Sequence, residues 1–126
     1  METYVFHLGP CFTVEAAMLA NGESPARDFV EALSDGERAK VLALFRLLGD
    51  TGRIKNVQKF KKIEGSSPPL WEFKSFQVRM PCFFMPGQRV VVTHGFKKKK
   101  DKIPASEVAK AQRIRDEHAS RGGAKK

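Results

Sequence analysis

Near the C-terminus an apolar run, Val90-Val91-Val92-Thr93, leads into His94-Gly95-Phe96 and then into Lys97-Lys98-Lys99-Lys100-Asp101-Lys102-Ile103-Pro104. A strand that empties into a lysine cluster puts several positive charges at one edge of a sheet, where they attract a polyanion. RNA fits such a rim best. His94 titrates near neutrality and could give or take a proton at that edge. The alternative is a structural histidine satisfied within an apolar strand. A second basic run holds Arg53, Lys55, Lys59, Lys61 and Lys62, with Val57 and Phe60 between them. The Lys97–Lys100 run has a simpler alternative, a solvated face that binds phosphate without chemistry.

The elements that must position these groups fit within 126 residues, 41% of them hydrophobic, with ten Phe and one Trp. That is enough for one core built around large rings. We assign a single domain to residues 1–120 and a flexible basic tail to 121–126. The net charge of +9 is segregated. Residues 1–52 hold four Lys/Arg against eight Asp/Glu, 53–96 hold eight against two, and 97–126 hold eleven against four. An acidic scaffold with a basic second half is the footprint of a nucleic-acid binder. Cys11 and Cys82 form no CxxC pair, and His7, His94 and His118 are scattered. No zinc-ligand spacing exists, and neither a metal nor another cofactor is expected. Both thiols read as small buried hydrophobes. No basic region precedes an apolar run at the N-terminus, and no apolar stretch approaches the roughly 20 residues that span a bilayer. The expectation is a cytoplasmic protein with no membrane partner.

Thr3 to Leu8 is β-rich and ends at Gly9-Pro10, a first strand. Val14 to Ala20 could form a short helix stopped by Asn21-Gly22. Ser24-Pro25 opens a firmer helix with Ser as N-cap and Pro at its first position. Ser34-x-x-Glu37 has capping-box spacing and starts another, with Val41, Leu44, Phe45 and Leu48 at helical intervals and Gly49 as its stop. Three strands follow, Leu70 to Phe76, Gln77 to Met85 and Gln88 to Thr93, the last two joined through Pro86-Gly87. Trp71 and Phe73 read as core anchors, with base stacking on Trp71 as the sharper alternative. Pro81 lacks a ladder donor, which implies an edge or a bulge. A last helix, Ala105 to Ala119, turns Ala105, Val108 and Ala111 inward and Lys110, Arg113 and Arg115 largely outward. The fold class is α+β: a small antiparallel sheet with an N-terminal helical hairpin and a C-terminal helix, in the order β-α-α-β-β-β-α.

Ser24-Pro25-Ala26-Arg27-Asp28-Phe29, Leu70-Trp71-Glu72-Phe73, Val78-Arg79, His94-Gly95-Phe96-Lys97-Lys98, Ile103-Pro104 and Glu107 stand in an order that resembles the RelE/HigB-like toxins, specifically their phage-derived branch. The resemblance covers about residues 24–118. It implies a RelE/ParE-like fold and the toxin of a type II toxin–antitoxin pair, a ribosome-dependent endoribonuclease that cuts mRNA without metal. The ribose 2′-hydroxyl would attack the adjacent phosphorus, leaving a cyclic phosphate and a free 5′-hydroxyl. Such a site needs a base, cations for the phosphorane and an acid for the leaving oxygen.

By that resemblance Arg79, His94, Lys97 and Lys98 are the candidate catalytic residues, with Arg79 offering a guanidinium fork to the phosphate. A bland role for Arg79 is an ion pair with an acidic neighbour. Lys59, Lys61, Lys62, Lys99, Lys100 and Lys102 are the candidate RNA contacts. Implied partners are a helix-turn-helix antitoxin, the ribosome and mRNA. Many cleaving members carry a tyrosine near the C-terminus, whereas the single tyrosine here is Tyr4. Two other functions stay open: gyrase inhibition, as in the sister branch, and non-catalytic RNA binding.

Overall fold

The computed structural model describes residues 4–98 and 102–123. Its strands are β1 (Tyr4–Leu8), β2 (Thr13–Ala16), β3 (Phe60–Lys62), β4 (Trp71–Ser75), β5 (Val78–Met85), β6 (Arg89–Val92) and β7 (Phe96–Lys97). Its helices are α1 (Pro25–Ala32), α2 (Asp35–Thr51) and α3 (Ala105–Gly123). The fold is mixed α+β, an open, mostly antiparallel sheet with three helices. The sheet order is β1-β2-β6-β5-β4-β3, and β7 adds to β5.

The helical hairpin forms for the local reasons visible in its sequence. Ser34 Oγ accepts from the Glu37 amide at 3.2 Å while Glu37 Oε1 accepts from the Ser34 amide at 3.2 Å, a closed capping box. Ser24 occupies the α1 N-cap with Pro25 behind it, but its hydroxyl donates instead to the Ala17 carbonyl at 2.9 Å. That bond ties the helix start to the strand before it.

Several expectations change. Thr13–Ala16 is a strand rather than the start of a helix, and it pairs parallel with β6, so the sheet is not purely antiparallel. Val14 and Ala16 are wholly buried against the helical hairpin, and a central strand position rewards that apolar pattern more than helix propensity does. Gly49 does not stop α2, which continues to Thr51 and ends at Gly52 with a left-handed φ of 84°. The Gly49 carbonyl instead accepts from the amides of Cys11 and Phe12 at 2.9 and 3.0 Å, and a Cβ there would lie 2.7 Å from the His7 ring. Glycine is needed because the β1–β2 turn lies directly on the helix. On α3, Ala105 is exposed, and Arg115 turns toward the sheet, bonding the Pro69 carbonyl at 2.7 Å with its guanidinium 4.7 Å from the centre of the Phe83 ring. Cys82 is buried as expected, whereas Cys11 is half-buried.

Each sheet face has its own core. Against α1 and α2 pack Val14, Phe73, Val78, Met80, Val90 and Val92, with Phe45 of α2 4.8 Å from both Phe6 and Phe73, ring centre to ring centre. Trp71 meets Phe84 edge to face, in keeping with an anchoring role. Against α3 pack Ala17, Ile63, Leu70, Phe83 and Val91, held by Ala111 and Ile114.

Candidate functional site

Strand alternation places the site. Along β4, Trp71 and Phe73 point to the helical hairpin, so Glu72 and Lys74 point to the α3 face. Glu72 stands opposite Lys61 on one side and Pro81 on the other, Lys74 opposite Arg79, and Arg79 opposite Phe96. Directly opposed side chains sit about 4.5–5.5 Å apart at Cβ. Lys61, Glu72, Lys74 and Arg79 therefore form one charged patch on the α3 face, beside the apolar ground that α3 covers.

Glu72 is 1% exposed, and its Oε1 has no hydrogen-bond partner among the described residues. Burial pushes its carboxyl pKa up, although the positive charges of Lys74, Arg79, Lys61 and Lys98 all pull it down. Desolvation wins over four cations. The result is a buried carboxyl group with a raised pKa inside a positive field, a combination found at functional sites. It lines a cleft of about 700 Å³ between the β3–β4 strands and the start of α3, with Lys61, Ile103 and Lys102 on the walls. Sequence reading used Glu72 only as part of a motif. The signal was present in Trp71-Glu72-Phe73-Lys74, where two charges alternate with two core rings.

Arg79 is also buried. Its Nη1 donates to the carbonyls of Phe76 and Val78, the latter at 2.9 Å, so the guanidinium is held by the backbone at the tip of the β4–β5 hairpin. Its Nε has no partner among the described residues. Lys59, Lys74 and Arg79 also border a second cleft of about 760 Å³ at that end of the sheet, walled by Lys40, Leu44 and Leu47 of α2.

The His94 junction is built on a bulge. Cys82 faces Val92 and Arg79 faces Phe96, so three steps along β5 correspond to four along the partner. The extra residue falls within Thr93–Gly95, where the Thr93 amide and hydroxyl both reach the Pro81 carbonyl at 2.8 and 3.2 Å. The proline thus lies where the ladder is interrupted, one of the two settings its missing N–H implied. His94 is 1% exposed, with Nδ1 2.9 Å from Thr93 Oγ1 and Nε2 2.9 Å from Glu107 Oε1, and it stacks on Phe96. Burial holds its pKa below the usual value despite the Glu107 hydrogen bond. With both nitrogens engaged, the ring fastens the start of α3 to the sheet. Gly95 passes under Phe29 of α1, where a Cβ would fall 2.2 Å from the ring.

The remaining candidates divide. Lys97 shares a rung with Val78 on the hairpin face and pairs with Glu37 of α2 at 3.0 Å, which lowers the Glu37 pKa. Lys98 follows β7, its amide bonded to the Gln77 carbonyl at 2.8 Å, and its charge acts on Glu72. Lys61 joins the patch, whereas Lys62, one residue on, stands opposite Trp71 and is exposed. Lys102 lines the first cleft. Lys99 and Lys100 lie outside the described residues. Among the described residues, no cluster of His, Cys, Asp and Glu could hold a metal ion, and no helix is long and apolar enough to cross a membrane.

Residues 28–116 match the model of the family described as Phage derived protein Gp49-like (DUF891). The chain belongs to that family. The match spans most of the chain, from α1 into α3, and takes in the whole charged patch and both clefts. The Gp49-like family is a toxin-like family of toxin–antitoxin systems, which implies a cognate antitoxin for this member. No curated protein matches the chain.

Proposed function

We propose that this Gp49-like protein is the toxin of a type II pair with a RelE/HigB-like fold, and that it is a ribosome-dependent endoribonuclease acting on mRNA. The observation that carries the reading is Glu72, buried with an unpartnered oxygen amid Lys61, Lys74 and Arg79, on the wall of an open cleft. A carboxyl group whose pKa burial raises is a stronger base than a free carboxylate and is suited to take the proton of a ribose 2′-hydroxyl. Lys61, Lys74 and Arg79 supply the positive field that a phosphorane needs, and Arg79 is already held in place by two backbone carbonyls. Lys102 and Lys59 extend the same potential along the two clefts toward the flanking phosphates. His94 and Glu107 act in this scheme by seating α3 beside the first cleft. A helix-turn-helix antitoxin would complete the pair.

The test is expression of the chain alone in a bacterial host, followed by primer-extension mapping of transcripts, and the same mapping in vitro with and without ribosomes. Wild type is expected to arrest growth and produce new 5′ ends only with ribosomes. Glu72→Gln and Arg79→Ala are each expected to lower cleavage at least about 100-fold, the scale of one lost acid–base or charge-stabilising group. Intact transcripts with wild type would overturn the reading, and inhibition of gyrase supercoiling in their place would favour the sister-branch activity.

A further inference from the structure

Phe76 is 80% exposed at the tip of the β4–β5 hairpin, yet it is a large aromatic residue at a φ of 55°. The first position of a two-residue hairpin loop with positive φ favours glycine or asparagine, and a bulky ring there is strained. An exposed, strained aromatic residue that neither packs in the core nor suits its turn calls for a reason outside folding. Its surroundings supply one. The Lys40 ammonium lies 5.4 Å from the ring centre, and Phe76 lines the 760 Å³ cleft together with Lys40, Lys59, Lys74 and Arg79. Among the described residues, four cations and no carboxylate line that cleft, although Glu37 joins Lys40 and Phe76 in an adjoining one, and the buried Arg79 Nε has no partner. An exposed ring beside a groove of positive charge is the arrangement that holds single-stranded nucleic acid, with the ring stacking a base and the cations meeting the backbone.

We propose that Phe76 is a stacking platform for one base of a single-stranded RNA, with Lys59, Lys74 and Arg79 contacting the adjacent phosphates. The inference rests on RNA being the ligand of the candidate site but not on its cleavage. The proposed subsite is bordered by α2, through Lys40, Leu44 and Leu47, whereas α3 borders the Glu72 cleft, and the two share no lining residue among those described. An acidic protein segment anchored on Phe76 is the competing occupant. The cationic lining suits either, but the strained aromatic tip favours a base, which can stack on it.

Binding of a short fluorescein-labelled 2′-O-methyl oligoribonucleotide to the full chain, read by anisotropy without ribosomes, separates this inference from the cleavage reading because the probe cannot be cut. Phe76→Trp is expected to bind as tightly as wild type or more so. Phe76→Leu, which keeps an apolar side chain but has no ring, is expected to bind about tenfold more weakly. The salt dependence should stay the same in both variants because the phosphate contacts remain. Thermal melts of both variants are expected to match wild type, since the side chain is exposed. No binding by wild type, equal binding by wild type and Phe76→Leu, or equal weakening by the Trp and Leu variants would overturn the proposal. So would a Phe76→Leu protein that keeps its RNA affinity and loses only its antitoxin.

Discussion

On the face toward α1 and α2, the strands present Phe73, Val78, Met80, Val90 and Val92 to Phe45 and Leu48. On the face toward α3 the same β4 and β5 strands present Glu72, Lys74 and Arg79. One residue of register separates a closed apolar core from a charged patch. The first face gains by removing apolar surface from water, roughly 1.5–3 kcal/mol for each large side chain fully buried. The second holds a carboxyl group out of water without a partner for Oε1, which costs stability. A protein keeps such a cost where the strain serves a function. Lys97 gives the contrast in miniature: it lies on the hairpin face, pairs with Glu37 and is satisfied, whereas Glu72 on the other face is surrounded by cations and still unsettled.

The difference can be broken from either side. The largest effect should come from Phe45→Ala, which removes the ring between Phe6 and Phe73. We expect about 3–5 kcal/mol of lost stability in chemical denaturation, enough to unfold a marginal domain. A loss under about 1 kcal/mol would mean that this face is not the main source of stability. On the other face the sign should reverse. Glu72→Gln removes a buried ionisable group and should raise stability at neutral pH by on the order of 1–2 kcal/mol, even as it lowers the proposed cleavage. Because the Glu72 pKa is raised in the folded state, the native chain binds more protons than the unfolded one above the usual carboxyl value of 4.5. Wild-type stability relative to Glu72→Gln should therefore improve as pH falls toward that value and worsen as it rises through the folded pKa. A variant no more stable than wild type at any pH would show that Glu72 is not strained.

The smallest effect should be at the junction. His94 is held below its usual value of 6.5 by burial, countered by Glu107 and reinforced by Lys110 and Arg113. Its folded form binds fewer protons, so its contribution is present above about pH 6.5 and lost as pH falls toward the folded value. Thr93 and Phe96 also face the ring and do not titrate. His94→Gln should flatten the decline of stability between about pH 7 and 5, measured by denaturant melts against wild type. An unchanged slope would place the acid sensitivity elsewhere.

Much of this was legible locally. Ser34 and Glu37 announced a capping box because both partners lie within one turn, and Pro81 announced an interrupted ladder because its missing N–H needs no context. The basic character of Lys59, Lys61 and Lys62 was legible too, but its division was not. Lys61 joins Glu72 and Lys62 does not, because that depends on which face of β3 meets β4. Val14 to Ala16 stays open to a helix in the sequence because one of its two partner strands, Val90 to Val92, lies more than seventy residues away. Gly49 looked like a helix stop because the β1–β2 turn that needs its missing side chain comes from a distant part of the chain.

By itself, then, the sequence determined the helix starts, the hairpin turn at Pro86-Gly87, the need for a break near Pro81 and a basic second half poised for a polyanion. Those depend on interactions within a few residues or on composition. Tertiary structure alone decided that Glu72 sits among Lys61, Lys74 and Arg79 in the charged patch, and that His94 is committed to Thr93 and Glu107. The reason is physical. A pKa and a free lone pair are set by burial and by neighbours on other strands, and neither exists until those strands have met.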